Sequence, residues 1–360
     1  MRNINSAAVA ATMVAAAIGV SACGGSSSSS SASGAGTING SGSTFAAPIY
    51  QQWGSGLKSK DGLSVNYQGV GSGQGISELT SGTVNFAGSD PPMTDAEVKT
   101  ASAKGTPLHF PTALGAITIS YNVSGVATGL KLDGDTLAKI FLATVTKWND
   151  PAISAQNPGV TLPASSITVV RRSDSSGTTK GFTGYLTAVS PEWASKVGKG
   201  KTVKWPTGTG AKGNDGVAAA IKQTPNSVGY VEQAYALQNK FTVASVKNAA
   251  GSYIVPTLES TTAAAEGLAI PADLRFTISD PTGATAYPIT SQTFVVVYAD
   301  ACKVGASAQV AKGVKAFLTY GLGEGQAVLA QLQYAKLPAS IQAKAQAQLS
   351  KLVCNGAAIQ

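Results

Sequence analysis

Short apolar runs alternate with segments of helical periodicity along most of the chain. Residues 64–67, 84–87, 116–121, 167–171, 227–231 and 293–298 each carry β-branched or aromatic side chains and read as strands. Helices fall between them. Thr94 with Glu97 forms a capping box and Gly105 closes that helix, Ser190-Pro191 opens another, and Asp135 caps the segment 137–142. Near the C-terminus, apolar positions through 310–318, 327–332 and 341–352 recur at helical spacing, as faces turned to a core. No internal repeat interrupts the series, so the pattern predicts an α/β fold.

Composition adds scale and compartment. A chain of 360 residues that is 43% hydrophobic can bury one large core or two ordinary ones, and two lobes are expected. With 12% charged residues and 41 glycines, its surface is covered by small polar side chains and turns. The net charge of +8 comes without a Lys/Arg stripe interleaved with aromatics, which argues against nucleic acid and leaves a modest attraction for anions. Residues 1–22 carry one early cation, Arg2, and then an apolar stretch too short to span a bilayer, as in a signal peptide. Val20-Ser21-Ala22-Cys23 resembles a bacterial lipoprotein cleavage box, with Val20 where Leu is usual. The expectation is cleavage before Cys23, lipidation of that cysteine, and a Gly/Ser tether over 23–36; the alternative is an ordinary secretory signal with a chance cysteine. Cys302 and Cys354 then remain as an even pair in an oxidising compartment, expected as a disulfide, with two buried thiols as the alternative.

Four segments carry the candidate chemistry: Gly40-Ser41-Gly42-Ser43-Thr44-Phe45, Gly69 to Gly75, Gly88-Ser89-Asp90, and Ser173 to Thr179. Each follows a strand-like run, and three lead into helix-like segments. Their N–H groups and hydroxyls can converge on an anion beyond the carboxyl ends of a sheet. Singly, each reads as a turn or cap; the recurrence is the signal. Neither a P-loop nor a dinucleotide fingerprint is present in the 69–75 segment. His109 is the one histidine, between Pro107 and Pro111, so metal clusters and Ser-His-Asp chemistry lack parts and a structural role is expected for it. Arg172 ends a strand at the rim of the last loop, where it can meet an oxyanion in bidentate fashion, while Asp174 can hold it by an ion pair; Arg171 fits surface charge better. Asp90 is the odd member. A carboxylate among anion-binding loops repels its ligand unless the ligand brings a proton, as dibasic phosphate does and sulfate does not. Taken alone, Asp90 also fits a turn or cap before Pro91-Pro92.

These residues, with GSGSTFAAP (40–48), VNYQGVGSGQG (65–75), VNFAGSDPP (84–92), TKWND (146–150), VVRRSDSSGTT (169–179), VKWPTGTGAKGNDGVAA (203–219) and NSVGYVEQAYA (226–236), make the chain similar to the phosphate-binding subunit of phosphate ABC transporters. The resemblance runs from about Thr37 to the final helices. It implies phosphate ligands at Ser43, Thr44, Phe45, Ser72, Asp90, Arg172, Ser176, Gly177 and Thr178, with Phe45 and Gly177 serving through main-chain N–H. Departures at Gly73-Gln74-Gly75 and Ala87-Gly88 touch none of these. The stretch 244–280 matches poorly and is expected as variable surface.

The resemblance further implies a two-lobed, type II periplasmic-binding-protein-like fold. Lobe one would comprise 37–110 and 288–360 and lobe two 111–287, with crossovers near 111–118 and 287–292. It implies a monomer without cofactor, metal or enzymatic activity, anchored through Cys23 to the outer face of the cell membrane, and handing phosphate to membrane permease subunits. Competing readings are a binding protein for sulfate or another oxyanion, a secreted phosphatase or serine hydrolase, and an adhesin whose loops are only turns.

Overall fold

The structure, a computed structural model, describes residues 36–359, so the expected signal segment 1–22, Cys23 and the tether up to residue 35 lie outside the described residues. From Thr37 the chain alternates strictly: β1 (Thr37–Gly42), α1 (Ala47–Asp61), β2 (Ser64–Gly69), α2 (Ser72–Ser81), β3 (Phe86–Ser89) and α3 (Asp95–Ser102). The long strand β4 (Pro107–Asn122) follows. Next come β5 (Lys131–Leu132), α4 (Gly134–Phe141), α5 (Pro151–Ser154), β6 (Thr168–Arg172), α6 (Gly177–Val189), α7 (Pro191–Lys196), β7 (Thr209–Ala211), α8 (Gly213–Gln223), β8 (Ser227–Glu232) and α9 (Gln233–Gln238). Short elements β9 (Thr242–Val243), β10 (Ser245–Lys247), β11 (Tyr253–Ile254) and α10 (Leu258–Ala263) lead to β12 (Thr290–Tyr298). The chain closes with α11 (Ala308–Leu322), α12 (Ala339–Gln348) and the hairpin β13 (Val353–Cys354) and β14 (Ala357–Ala358).

One curled sheet organises these elements in the order β2-β1-β3-β12-β4-β8-β6-β7, with β9 also on β4. β1 pairs in parallel with β2 and β3, and β6 in parallel with β7 and β8. Between the two parallel groups lie β4 and β12, antiparallel to their neighbours. β4 changes partner along its length: Pro107 to Ala116 face β12, and Ile117 to Asn122 face β8. Pro111, which has no N–H to give a ladder, is tolerated beside a register shift opposite Thr293 and Phe294.

Aromatic packing concentrates beside each parallel group. Tyr50, Trp53, Phe86 and Phe317 pack around α1 and α11, with the Phe86 and Phe317 rings 4.8 Å apart. Phe141, Phe182, Trp205 and Tyr230 do the same around α4 and α6, with the Phe182 and Tyr230 rings 4.5 Å apart. Burying one such ring is worth about 1.5–3 kcal/mol, which makes these clusters the firm base under the loops. Cys302 and Cys354 form a disulfide with Cα atoms 4.9 Å apart, tying the turn after β12 to β13.

Several local expectations need correction. The cap of α4 is Asp133, whose carboxylate accepts the Thr136 N–H at 2.8 Å; Asp135 lies one residue inside the helix and pairs with Lys139. A cap must stand just outside the helix in extended conformation, and only Asp133 does. The strand expected over 84–87 is shifted to Phe86–Ser89, because Gly88 serves as a strand residue rather than a turn: a Cβ there would lie 2.2 Å from the Tyr67 hydroxyl. α3 ends at Ser102 with Ala103 as its cap, two residues before Gly105. The segment 327–332 forms 3-10 turns, Glu324–Val328 and Ala330–Leu332, rather than an α-helix. The stretch 244–280 is not mere surface, since Ala244, Val246, Ala264, Leu274, Phe276 and Ile278 are buried. The Thr94/Glu97 capping box and the Ser190 cap are both present.

Candidate functional site

The loops after β1, β2, β3 and β6 meet at one place, because β6 runs opposite to β1–β3 and the two parallel groups lie along successive halves of β4, so that their carboxyl ends face each other. Asp90 lies at the centre, 1% exposed. Its Oδ1 accepts from Ser43 Oγ at 2.5 Å and from Thr293 Oγ1 at 2.9 Å, while Oδ2 is 3.4 Å from Ser72 Oγ. Gln292 Nε2 donates to its main-chain carbonyl at 2.8 Å, and its own N–H points to Ser72 Oγ at 3.3 Å. Burial pushes the Asp90 carboxyl up to about 6, against the opposing pull of the Ser43 and Thr293 hydroxyls and the Arg172 charge.

The first turn of α6 closes onto this carboxylate. A Cβ on Gly177 would lie 2.2 Å from Asp90 Oδ2 and 2.4 Å from Ser72 Oγ, so only glycine permits the approach. Ser176 caps the helix by accepting the Thr179 N–H at 3.0 Å, and the Gly177 and Thr178 N–H groups have no partner inside the helix. Arg172 enters from β6, 2% exposed. Its Nε and Nη2 donate to Asp174 at 2.7 and 2.5 Å, and its Nη1 donates to Thr178 Oγ1 at 3.2 Å. Burial raises the Asp174 carboxyl, but the Arg172 guanidinium and the Gly213 N–H outweigh it and hold it below the usual carboxylate range. Of the five guanidinium N–H groups, two keep no acceptor among the described residues. Arg171 points elsewhere, half-buried with its guanidinium 6.0 Å from the Trp205 ring.

Thr44 and Phe45 complete the rim. Thr44 Oγ1 accepts from the Asn214 N–H at 3.1 Å and from Asn214 Nδ2 at 3.0 Å, and its carbonyl accepts from the Tyr235 hydroxyl at 2.6 Å. That carbonyl shares a peptide group with the Phe45 N–H. The Phe45 ring is fully buried, 5.9 Å from the Tyr334 ring, which leaves the main chain to face the site. All nine residues expected as ligands, Ser43, Thr44, Phe45, Ser72, Asp90, Arg172, Ser176, Gly177 and Thr178, are buried and grouped here. His109 is not among them: its Nε2 accepts the Met93 N–H at 3.0 Å.

Three participants escaped the sequence reading. Asn214 lies at the start of α8, inside a segment quoted for the resemblance, with nothing in its type or spacing to mark it. Thr293 ends a run of four buried polar residues, Thr290 to Thr293, within a fully buried strand, and that run is a usable signal. Tyr235 reads as an ordinary helix aromatic until its hydroxyl is seen to reach Thr44. The ensemble is a shell of O–H and N–H donors with one cation and one acceptor, a set suited to a tetrahedral oxyanion bearing a proton.

Comparison with known proteins agrees with this chemistry. Residues 27–324 match the PBP superfamily domain. The phosphate-binding protein PstS of Pasteurella multocida is 41% identical over 315 residues, covering 87% of this chain and 89% of that protein. The phosphate-binding protein PstS of Xylella fastidiosa is 39% identical over 307 residues, covering 84% and 82%. Among solved structures, a high affinity periplasmic phosphate-binding protein (PfluDING) bound with phosphate superposes with a TM-score of 0.74 at 24% identity, over 90% of this chain and 96% of that one, and speaks to the fold. By its sequence along most of its length, the chain belongs to the PBP superfamily and, within it, to the family of PstS phosphate-binding proteins.

Proposed function

We propose that this protein captures inorganic phosphate outside the cytoplasmic membrane and delivers it to the permease of an ABC importer. The observation that carries the reading is Asp90, after β3: a buried acceptor inside a shell of donors from β12 and from the ends of β1, β2 and β6. Serines, threonines, helix N–H groups and Arg172 satisfy any tetrahedral anion. Asp90 accepts a proton from one that has it. Sulfate at neutral pH offers none, so its oxygen would face a carboxylate in a closed, poorly screened space.

In this proposal residues 37–110 and 288–360 form one lobe and 111–287 the other, hinged near 111–118 and 287–292. The partner change of β4 between Ala116 and Ile117 supports that placement. Ligands then come from both lobes: Thr44, Phe45, Ser72 and Asp90 from one, Arg172, Ser176, Gly177 and Thr178 from the other, while Ser43, whose hydroxyl proton goes to Asp90 and whose N–H goes to the Gly88 carbonyl, serves by holding Asp90. Phosphate favours the closed arrangement because only there are all of them in reach. The same arrangement carries cross-lobe contacts at its rim, including the Lys201–Glu97 ion pair, Arg275 Nη1 to Asp95 at 2.8 Å, and the Gly73 N–H to the Ser175 carbonyl at 3.0 Å.

The protein acts as a monomer without cofactor, metal or catalysis, held to the membrane by lipid on Cys23. Equilibrium dialysis of labelled phosphate against the soluble domain, with sulfate as competitor, tests the function. Tight phosphate binding that excess sulfate does not displace is expected; equal displacement by both anions contradicts it. For the anchor, Cys23→Ser releases the protein from membranes, and unchanged membrane retention rejects it.

A further inference from the structure

Asn214 connects both sides of the candidate site without belonging to either set of expected ligands. Its Oδ1 accepts the Glu232 N–H at 3.0 Å. A main-chain N–H can only donate, so the amide orientation is fixed and Nδ2 must face the threonines. There it donates to Thr44 Oγ1 at 3.0 Å and to Thr178 Oγ1 at 3.2 Å. Each hydroxyl receives a second obligate donor: the Asn214 N–H at 3.1 Å for Thr44, and Arg172 Nη1 at 3.2 Å for Thr178. A hydroxyl has two lone pairs and one proton. Both lone pairs are occupied in both threonines, so each proton is left to donate outward.

From this arrangement we infer that Asn214 is a positioning residue that sets Thr44 and Thr178 as pure donors toward the bound anion, and so raises affinity without touching it. A freely rotating hydroxyl spreads its proton over several orientations and must give up that freedom to present it to an anion. Asn214 removes that freedom at two positions with one side chain. It is fully buried, so its effect does not depend on solvent. Because Thr44 and Thr178 come from the two proposed lobes, the pre-set geometry exists only when they are together. The inference rests on the phosphate-binding reading given above.

The test measures phosphate dissociation constants by equilibrium dialysis for the wild type, Asn214→Ala, Thr44→Val/Thr178→Val, and the triple variant. Thermal unfolding of each is followed in phosphate-free buffer. Asn214→Ala is expected to weaken phosphate binding about ten- to a hundredfold, the scale of one or two hydrogen bonds to a charged ligand. In the Thr44→Val/Thr178→Val background the same change adds less than about threefold, since its effect passes through the two hydroxyls. A role in folding alone would add its full effect in both backgrounds, and that outcome overturns the inference. An unchanged dissociation constant in Asn214→Ala overturns it equally. Should Asn214→Ala fail to fold, Asn214→Leu preserves the bulk without the donors and is held to the same two comparisons. A wild type that binds no phosphate would overturn the function itself, whereas a binding wild type with additive variants would overturn only the role of Asn214.

Discussion

Asp174 grips Arg172 through two parallel hydrogen bonds, at 2.7 Å from Nε and 2.5 Å from Nη2, and fixes the plane of the guanidinium before any ligand arrives. Asp174 is itself held by the Gly213 N–H at 3.1 Å. With Nη1 also bonded to Thr178, the cation is aimed and loses little freedom on binding.

Arg172→Ala therefore costs about 1.5–3 kcal/mol of phosphate binding, the range for a hydrogen bond to a charged group. Arg171→Ala leaves binding within about threefold of the wild type, because its guanidinium lies against Trp205. Titration calorimetry of the two single variants checks this; equal losses would place Arg171 in the site.

The raised Asp90 carboxyl gives selectivity a pH dependence. Above about 6 it is charged and accepts; as pH falls through about 6 it takes up a proton, loses its charge and becomes able to donate. Sulfate affinity is expected to rise as pH drops from about 7.5 to about 5. Competition with labelled phosphate at matched ionic strength measures it, and a flat sulfate affinity across the range counts against a titrating Asp90.

His109 makes a prediction about stability instead. Burial, with the nearby Arg275 charge, pushes its imidazole down to about 4 from the ordinary 6.5. The fold thus favours the neutral ring, which accepts the Met93 N–H. Its contribution is complete above about 6.5 and is lost progressively as pH falls toward about 4, for a total of ~3 kcal/mol. Urea unfolding at a series of pH values is expected to show a shallower decline over that window for His109→Gln than for the wild type. Parallel declines would remove His109 from the acid response.

Much of this was legible in the sequence because the chemistry is local. A Ser/Gly/Thr turn at the end of a strand can turn its N–H groups and hydroxyls toward an anion, so the segments holding Ser43, Ser72, Asp90 and residues 172–178 stood out by their recurrence, while the family resemblance named the individual ligands. Asp174 as the partner of Arg172 followed from two-residue spacing. What was not legible depends on tertiary approach. Gly88 read as a turn, yet it is a strand residue because Tyr67 passes over it. Asn214 and Tyr235 lie far along the chain from Thr44, and only the folded arrangement brings them to its hydroxyl and carbonyl. Asp133 and Asp135 are alike in type, and backbone conformation alone decides which caps α4.

The most direct measurement is titration of wild type and Asp90→Asn with phosphate and with sulfate at about neutral pH and one ionic strength. An amide in place of the carboxylate can turn N–H toward an unprotonated oxygen or C=O toward a protonated one, and it carries no charge to repel sulfate. A site built around a ligand hydroxyl can reject an analogue lacking it by roughly 10⁴ to 10⁵. Asp90→Asn should retain phosphate binding in weakened form while sulfate binding rises, so that the ratio of the two affinities collapses. A ratio unchanged from the wild type would contradict the account, because it would show that the one buried acceptor in the shell does not tell the anions apart.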